Sequence, residues 1–347
     1  MTDTLHLVDG NGYLHRAYHA SAGRGPVAAV AVFVQMLEKL EREHQPRRAA
    51  VVLDVRGRTW RHERFPEYKA TRPPTEPALV AQLDRFAPAA RALGWPVVAV
   101  PGFEADDAIA TIATDARGRG WPVRIHASDK DLLALVDDLV HVVDARGATL
   151  GPAEVERKLG VPPSRVADYL AIRGDSSDNI PGVSGAGEKR AAELVRRYDD
   201  VEALIAANPK IGGRWPLSTV AGVDALRISR VLVELVRTVP IDVELAAMVL
   251  GRRDEHAMRA ALAPPRAAEQ LGLGGVPQAP NAPPSPPRPG PYATGRPGRP
   301  FHPPRPAYTA AELEELRERA AIAEYDGGLT RAEAEASARE QLARRST

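Results

Sequence analysis

Short apolar runs alternate with helical patterns through the first half of this 347-residue sequence, and this alternation constrains the fold most strongly. The predicted strands cover residues 5–8, 49–55, 97–100, 123–126 and 140–144. Apolar residues at helical spacing predict helices at 27–44 and 79–93, within 101–116 and through 132–135. Strands that are apolar throughout are typical of a parallel sheet covered on both faces. The sequence therefore predicts an α/β fold with a mainly parallel mixed sheet flanked by helices.

Five groups of acidic residues follow the predicted strands or begin the helical region behind them. They are Asp9; Asp54; Glu104, Asp106 and Asp107; Asp129 and Asp131; and Asp175 and Asp178. Ligands of parallel α/β sheets bind beyond the carboxyl ends of the strands, so the first four groups are expected at one rim. A single acid there is explained by capping a loop or a helix. Carboxylates packed this densely repel one another and favour a bound cation.

The residue types at this rim indicate which cation it would hold. The sequence contains no cysteine, and carboxylate oxygens favour hard cations such as Mg²⁺ or Mn²⁺. This number of carboxylate oxygens can bind two divalent cations about 3.5–4 Å apart, and such a pair of cations catalyses the hydrolysis of phosphodiester bonds. On the helical wheel of stretch 101–116, Glu104 and Asp107 are predicted to lie away from the apolar face and Asp106 at its flank. All three acids are therefore expected to face the metal site.

A basic, irregular stretch between the second predicted strand and the next helix complements these acids. Its cations are Arg56, Arg58, Arg61, Arg64, Lys69 and Arg72, and its aromatic residues are Trp60, Phe65 and Tyr68. Cations neutralise phosphates and aromatic rings stack on unpaired bases, so this composition indicates a nucleic-acid contact. The alternative is a solvated surface loop.

A glycine-rich turn at Gly182, Gly185 and Gly187 precedes a predicted helix that begins near Glu188. Successive backbone N–H groups at such a helix start bind phosphate, and a K⁺ ion is a further candidate occupant. Lys189 and Arg190 follow at once and are predicted to contact DNA. The alternative is a tight turn between packed helices, which glycine equally permits.

Composition and motif order divide the sequence into four segments. Residues 1–174 are predicted to form the metal-binding α/β domain, and 175–263 a helical region that binds duplex DNA. The proline-rich interval 264–308 is predicted to be a disordered linker, and 309–347 a small helical hairpin that binds a protein partner. No apolar run reaches the ~18 residues of a membrane span, and the N-terminus lacks the pattern of a signal peptide. We therefore expect a cytoplasmic monomer without membrane contact.

These motifs, in this order, resemble the 5′-nuclease family, which comprises the 5′→3′ exonuclease domain of bacterial DNA polymerase I, phage exonucleases and flap endonucleases. The matching stretches are L-V-D-G at Asp9, H-R-A-Y-H-A with Arg16, V-L-D at Asp54, W-R-H-E through Y-K-A-T-R-P-P, G-F-E-A-D-D, S-D-K-D, and G-D-S-S-D-N-I-P-G-V-S-G-A-G-E-K. The sequence departs from the family in carrying His15 where many relatives carry tyrosine. No polymerase motif follows, so a free-standing nuclease is expected.

The resemblance implies a PIN-like nuclease domain, a helical arch and a helix–turn–helix variant that binds duplex DNA. It implies that Asp9, Asp54, Glu104 and Asp106 surround one Mg²⁺ or Mn²⁺ ion, with Asp107 in the same cluster. Asp129, Asp131, Asp175 and Asp178 would surround a second ion. Arg16, Lys69 and Arg72 are implied as catalytic cations, Arg61 and Tyr68 as DNA contacts, and Gly182 to Lys189 as the phosphate-binding turn. The implied activity is metal-dependent 5′→3′ exonuclease and flap endonuclease cleavage of DNA, extending to RNA primers.

Three rival interpretations explain part of the pattern. A haloacid-dehalogenase phosphatase needs a D-x-D motif, and Asp9-Gly10-Asn11 lacks the second acid. A compact PIN-type ribonuclease has the acidic rim but does not need the basic stretch or the glycine turn. A non-enzymatic DNA-binding module accounts for the cations, and whether a divalent metal supports cleavage distinguishes it from a nuclease.

Overall fold

The computed structural model describes residues 4–21 and 25–264. Its sheet is formed by β1 (Leu5–Asp9), β2 (Arg48–Val52), β3 (Val97–Val98), β4 (Val123–His126), β5 (Val140–Val143) and β6 (Thr149–Leu150). The strand order is β3-β2-β1-β4-β5-β6, with β6 antiparallel to β5 and the other neighbours parallel. All five residues of β1 are buried. The prediction of a mainly parallel mixed sheet is confirmed.

The helices occupy both faces of the sheet and the region after it. In the α/β part they are α1 (Gly10–Ala20), α2 (Ala28–His44), α3 (Trp60–Arg64), α4 (Pro77–Val80), α5 (Leu83–Ala92), α6 (Ala105–Gly118) and α7 (Pro152–Leu159). After it come α8 (Val166–Arg173), α9 (Glu188–Arg197), α10 (Val201–Ala207), α11 (Val220–Leu232) and α12 (Glu255–Leu262). Short 3₁₀ helices occupy Asp131–Leu135, Pro163–Arg165, Pro216–Ser218 and Leu245–Ala247.

Two hydrophobic clusters cover the two faces of the sheet. One contains α6, inward side chains of β1, β2, β4 and β5, and much of the later helical region. The other contains α1, α2, α5 and α12, with Phe33, Phe86 and Trp95 fully buried in it. The Phe33 and Phe86 rings meet edge to face with centroids 5.2 Å apart, a preferred aromatic geometry.

Two predicted helices differ in the structure. The helix predicted at 79–93 is split into α4 and α5. Gln82 is buried at the break, where its Nε2 donates to the Ala78 carbonyl and its Oε1 accepts from the Ala29 N–H. The helix predicted through residues 132–135 is a 3₁₀ helix that covers Asp131–Leu135.

The predicted proline-rich linker and helical hairpin lie beyond residue 264, outside the described residues. Within residues 4–21 and 25–264, no helix has the length and apolar character needed to cross a membrane.

Candidate active site

Four chain segments bring acids to the carboxyl ends of the parallel strands. Asp9 is the last residue of β1, Asp54 follows β2 by two residues, and Glu104 is the N-cap of α6. The Asp54 carboxylate accepts a 2.6 Å hydrogen bond from the backbone N–H of Ala105, which joins the end of β2 to the start of α6. A carboxylate at this helix start is favoured by the helix dipole.

Asp106 lies at the centre of the acidic cluster. Its withdrawal from bulk water raises its pKa well above the ordinary value, and the charges of Asp129, Asp9, Asp131 and Asp54 raise the pKa further. The residue is only half-buried, so the raised pKa reflects a recess lined by acids rather than complete enclosure. The structure therefore brings together four of the segments that the sequence predicted to converge.

Asp9 belongs to the same cluster, and the backbone at the start of α1 fixes its carboxylate. The residue is buried, and its Oδ1 accepts a 3.0 Å hydrogen bond from Gly12 N–H at the start of α1. A Cβ on Gly12 would lie 2.3 Å from Asp9 Oδ2, so a side chain at position 12 would displace the carboxylate. Burial raises the pKa of Asp9 to about 6. The charges of Asp129 and Asp54 add to this rise, and the hydrogen bond from Gly12 opposes it.

The second half of the cluster joins the end of β4 to the loop after α8. Asp131 N–H donates to Asp129 Oδ1 at 2.9 Å. Burial raises the pKa of Asp131 well above its ordinary value, and the charges of Asp129, Asp178 and Asp175 add to the rise. Burial alone would raise the pKa of Asp175, but hydrogen bonds donated by Lys130 and Ser177 lower this pKa to about 2. Lys130 was not among the site residues predicted from the sequence, although its position between Asp129 and Asp131 was a signal.

The predicted catalytic cations Lys69 and Arg72 reach this rim from the basic stretch. Lys69 Nζ lies 2.5 Å from Glu104 Oε1, and Arg72 donates to Asp178 Oδ1. Lys69 has a left-handed backbone with φ of 57°, and its N–H donates to the Asp178 carbonyl at 2.9 Å. Non-glycine residues held in this conformation concentrate at functional sites, since the surrounding structure must impose the strain.

The structure gives Tyr68 a different position from the predicted one. Tyr68 was predicted to contact DNA, but the residue is buried. Its hydroxyl lies 3.0 Å from Glu104 Oε2 and 3.1 Å from Asp178 Oδ2, so it connects the acids of the two predicted metal groups. A ring enclosed in this way cannot stack on a base.

Arg61 and Asp107 form a buried ion pair, which corrects two predicted roles. Asp107 is fully buried and Arg61 is 3% exposed. The guanidinium donates to both Asp107 oxygens at 2.7 and 2.9 Å, and to the Leu232 and Glu234 carbonyls. The Asp107 carboxylate also accepts from the Val236 N–H, the Trp60 ring N–H and the Glu104 N–H. Asp107 therefore has no oxygen directed at the rim, and Arg61 is closed to DNA.

Arg16 lies on α1, the helix that begins at Asp9. Its guanidinium stacks over the Tyr13 ring at 4.3 Å, and its buried Nε has no hydrogen-bond partner. A buried donor without an acceptor is costly in a folded protein, so the Arg16 Nε is a candidate donor to a bound anion. His15 is exposed on the same helix.

The remaining acids fit hard divalent cations by donor chemistry, since carboxylate oxygen is the donor such cations prefer. Among the described residues, no three carboxylate or imidazole groups meet closely enough to enclose an ion. Glu104, Asp178 and Asp175 are each held by a cation, from Lys69, Arg72 and Lys130 respectively. The structure therefore presents the donors together with the positive groups that balance them.

The glycines of the turn at 182–187 differ in how closely they are packed. Gly182 has φ of 62°, and a Cβ there would lie 2.6 Å from Gly174 N, so this glycine is required by packing. Gly187 faces open space before α9, and Lys189 is exposed beside it. Arg190 is bonded to Glu193 and to the Lys210 carbonyl. The surface open to a phosphate is therefore Ser184 to Lys189.

We predict that Gly182→Ala lowers the free energy of unfolding by about 1–3 kcal/mol, because the methyl group meets backbone and the positive φ is strained. Gly187→Ala is the matched control, and it should unfold like the wild type because a Cβ there has no neighbour within 4 Å. Chemical denaturation of the three proteins measures the difference. Equal stability of both variants would show that the close approach of Gly182 to Gly174 is not a constraint.

Comparison with known proteins agrees with this architecture. The model of the 5′-3′ exonuclease N-terminal resolvase-like domain matches residues 4–160, and that of the 5′-3′ exonuclease C-terminal SAM fold matches 161–256. The chain belongs to the 5′–3′ exonuclease family. The resemblance drawn from the motifs is confirmed, and family membership extends from the sheet through the helical region.

Curated members of the 5′–3′ exonuclease family include longer proteins. DNA polymerase I of Rhizobium leguminosarum is 39% identical over 263 residues, covering 72% of this chain and 26% of that protein. The thermostable DNA polymerase I of Thermus aquaticus is 37% identical over 245 residues, covering 69% of this chain and 29% of that protein. The chain thus spans about a quarter of the length of these relatives.

Two solved structures of the family superpose on most of the described residues. The T5 5′-exonuclease, solved with bound zinc, has a TM-score of 0.58 and 26% identity, covering 67% of this chain and 90% of that one. The bacteriophage T5 flap endonuclease, solved as a pseudo-enzyme–product complex with DNA and metal ions, has a TM-score of 0.57 and 25% identity, covering 67% and 89%.

Proposed function

We infer that this chain is a metal-dependent 5′→3′ exonuclease and structure-specific flap endonuclease that hydrolyses DNA in replication or repair. The observation that carries the inference is the meeting of acids from four segments around Asp106 at the carboxyl rim of the sheet. The T5 relatives, solved with zinc and with DNA and metal ions, support the choice of cofactor and substrate.

We propose that the acids hold two divalent cations. Asp9, Asp54, Glu104 and Asp106 would hold one, and Asp129, Asp131, Asp175 and Asp178 the other. Bound divalent cations supply an activated water and stabilise the oxygen that leaves the phosphate. Asp107 is omitted from the set because both its oxygens are occupied by Arg61 and backbone N–H groups.

The chain's own cations would bind and orient the phosphate. Lys69 and Arg72 lie in contact with rim acids, within reach of the same recess. The unpaired Arg16 Nε supplies a third donor from α1. Charge that develops on the phosphate oxygens is stabilised by such pre-positioned cations, because they need little reorganisation during the reaction.

Lys69→Ala should lower turnover at saturating DNA by about 100-fold, the usual cost of losing one donor to a developing charge. Lys39→Ala is the control, since Lys39 is an exposed lysine paired with Glu43 on α2. Metal affinity, measured by calorimetry, should stay near that of the wild type because an ammonium cannot ligate a cation. A loss of metal affinity as large as in Asp129→Ala would contradict the role.

The proposal also covers the identity of the cations, a second substrate, and the roles of the chain's segments. Mg²⁺ is the proposed cation, with Mn²⁺ as substitute, and K⁺ is proposed at the Gly182–Gly187 turn. RNA primers annealed to DNA are a proposed second substrate. The chain is proposed to act as a cytoplasmic monomer, with 309–347 binding a protein partner and 175–263 binding duplex DNA beside the 1–174 nuclease domain.

A substrate panel tests the proposed function. It comprises a 5′ flap, a nicked duplex, a single strand and an RNA–DNA duplex, each labelled once at the 5′ end and once at the 3′ end. We expect release of short 5′-labelled products, with the flap and nick cut faster than the single strand. Preferential cleavage of RNA single strands would favour a PIN-type ribonuclease, and DNA binding without cleavage would favour a non-enzymatic module.

A further inference from the structure

A second tight turn packs directly against the glycine turn at 182–187. Gly212 and Gly213 have φ of 56° and 81°, and the flanking residues Ile211 and Arg214 exchange two backbone hydrogen bonds of 2.7 and 3.0 Å. Two successive positive φ angles inside such a closed pair are typical of a rigid hairpin turn. A Cβ on Gly185 would lie 3.8 Å from Gly212 Cα, so the two turns form one continuous surface.

The turn displays a tryptophan to solvent. Trp215 is 54% exposed, and among residues 4–21 and 25–264 it is the one exposed residue of the Phe, Trp and Tyr types. Its backbone is fixed, because Ser218 Oγ donates to the Trp215 carbonyl at 2.7 Å. Lys210 Nζ lies 4.9 Å from the ring centroid. An exposed ring with a fixed backbone and a cation beside it offers the aromatic face and the positive charge that nucleic-acid contacts use.

The charges around this surface are positive and unbalanced. Residues 203–223 contain Lys210 and Arg214 but no acid. Nearby arginines have carboxylate partners: Arg173 with Glu188, Arg190 with Glu193 and Arg227 with Glu202. By contrast, the described residues provide no carboxylate partner for the exposed cations Lys189, Lys210 and Arg214. Exposed cations left unpaired around backbone N–H groups fit a polyanion.

We propose that the turn formed by Lys210 to Trp215 is a second DNA contact, which deepens and rests on the proposed nuclease function. Trp215 packs against the deoxyribose rings of a duplex strand, while Lys210 and Arg214 neutralise the phosphates on either side. The contact extends the phosphate surface of Ser184 to Lys189 along the same strand. The turn contributes no residue to the acidic cluster or to the cations paired with it, so we assign it to binding rather than to catalysis.

Equilibrium binding to a duplex, with EDTA present so that the DNA stays intact, tests this contact. Trp215→Ala should weaken binding by about tenfold, in line with the loss of one aromatic contact to nucleic acid. Trp215→Phe should recover most of that loss. Lys210→Ala should reduce the slope of log affinity against log salt by about one.

Tryptophan fluorescence gives a second readout that a merely structural role would not change. The sequence has four tryptophans, and iodide should quench Trp215 most readily because it is the exposed one. Duplex DNA should protect the wild type from iodide, and this protection should disappear in Trp215→Phe. Trp121→Phe is the matched control, since Trp121 precedes β4 at the opposite end of the strands.

The proposal is overturned if Trp215→Ala binds duplex DNA like the wild type, or if DNA leaves iodide access to Trp215 unchanged. The first result, in a wild type that cleaves flaps, would leave the nuclease function intact and direct the search for a partner of Trp215 to proteins. A wild type that neither binds nor cleaves any DNA would instead overturn the proposed function itself.

Discussion

Asp106→Asn should reduce cleavage of a 5′ flap by at least about 1,000-fold while leaving the fold intact. Asp106 is the acid on which the charges of Asp129, Asp9, Asp131 and Asp54 converge. A cation bound there contributes several kcal/mol of charge stabilisation, and the asparagine removes the charge that attracts it. Steady-state cleavage of the labelled flap measures the loss. DNA affinity should be unchanged or higher, since one negative charge has gone from the DNA-binding face.

Asp115→Asn is the matched control for this experiment. Asp115 lies on the same helix α6, exposed and paired with Arg119 at i+4, far from the acidic rim. The same chemical change there should leave cleavage within about twofold of the wild type, because exposed pairs of this kind contribute little. Near-normal turnover by Asp106→Asn would show that Asp106 holds no catalytic cation.

Asp107→Ala should destabilise the protein by about 3–5 kcal/mol, although it neighbours Asp106 in sequence. Removing Asp107 leaves the Arg61 guanidinium buried without its main counter-charge. The bond that Asp107 accepts from the Val236 N–H is lost as well, and Arg61 loses the carboxylate that orients it toward the Leu232 and Glu234 carbonyls. Chemical denaturation in EDTA measures the change without any contribution from metal binding.

Asp106→Ala provides the contrast in the same assay. It should unfold at the same denaturant concentration as the wild type or a higher one, since it relieves repulsion among crowded acids. Replacing Asp106 is thus expected to reduce catalysis without a loss of stability, whereas replacing Asp107 is expected to reduce stability. Wild-type stability of Asp107→Ala, together with lost metal affinity, would return Asp107 to the metal ligands.

The sheet and the acidic rim could be predicted because they depend on local patterns. An apolar strand buried on both faces, such as β1, is visible in consecutive residues, and the end of the strand fixes where Asp9 lies. The order of acids along parallel strands then determines that they meet at one rim. The same logic placed Asp54 and Asp129 correctly without knowledge of any contact between them.

The predicted roles of Asp107, Arg61 and Tyr68 were wrong because their partners are distant in sequence. A helical wheel locates Asp107 relative to α6 alone, and cannot show that Arg61 approaches from 46 residues away. Likewise, the burial of Tyr68 depends on Asp178, 110 residues further on. The need for glycine at 182 arises from contact with Gly174, whereas the sequence pattern left phosphate binding and a tight turn between packed helices both open.

The most direct test of the central claim is cleavage of a 5′-labelled flap by the wild type while Mg²⁺ is titrated against EDTA. The acidic rim has too many crowded carboxylates to act on DNA without a cation. We predict no cleavage in excess EDTA, full recovery when Mg²⁺ exceeds the chelator, and no recovery in Asp106→Asn at any Mg²⁺ concentration. Cleavage that persists in EDTA, or DNA that binds yet stays intact with both Mg²⁺ and Mn²⁺, would contradict the account.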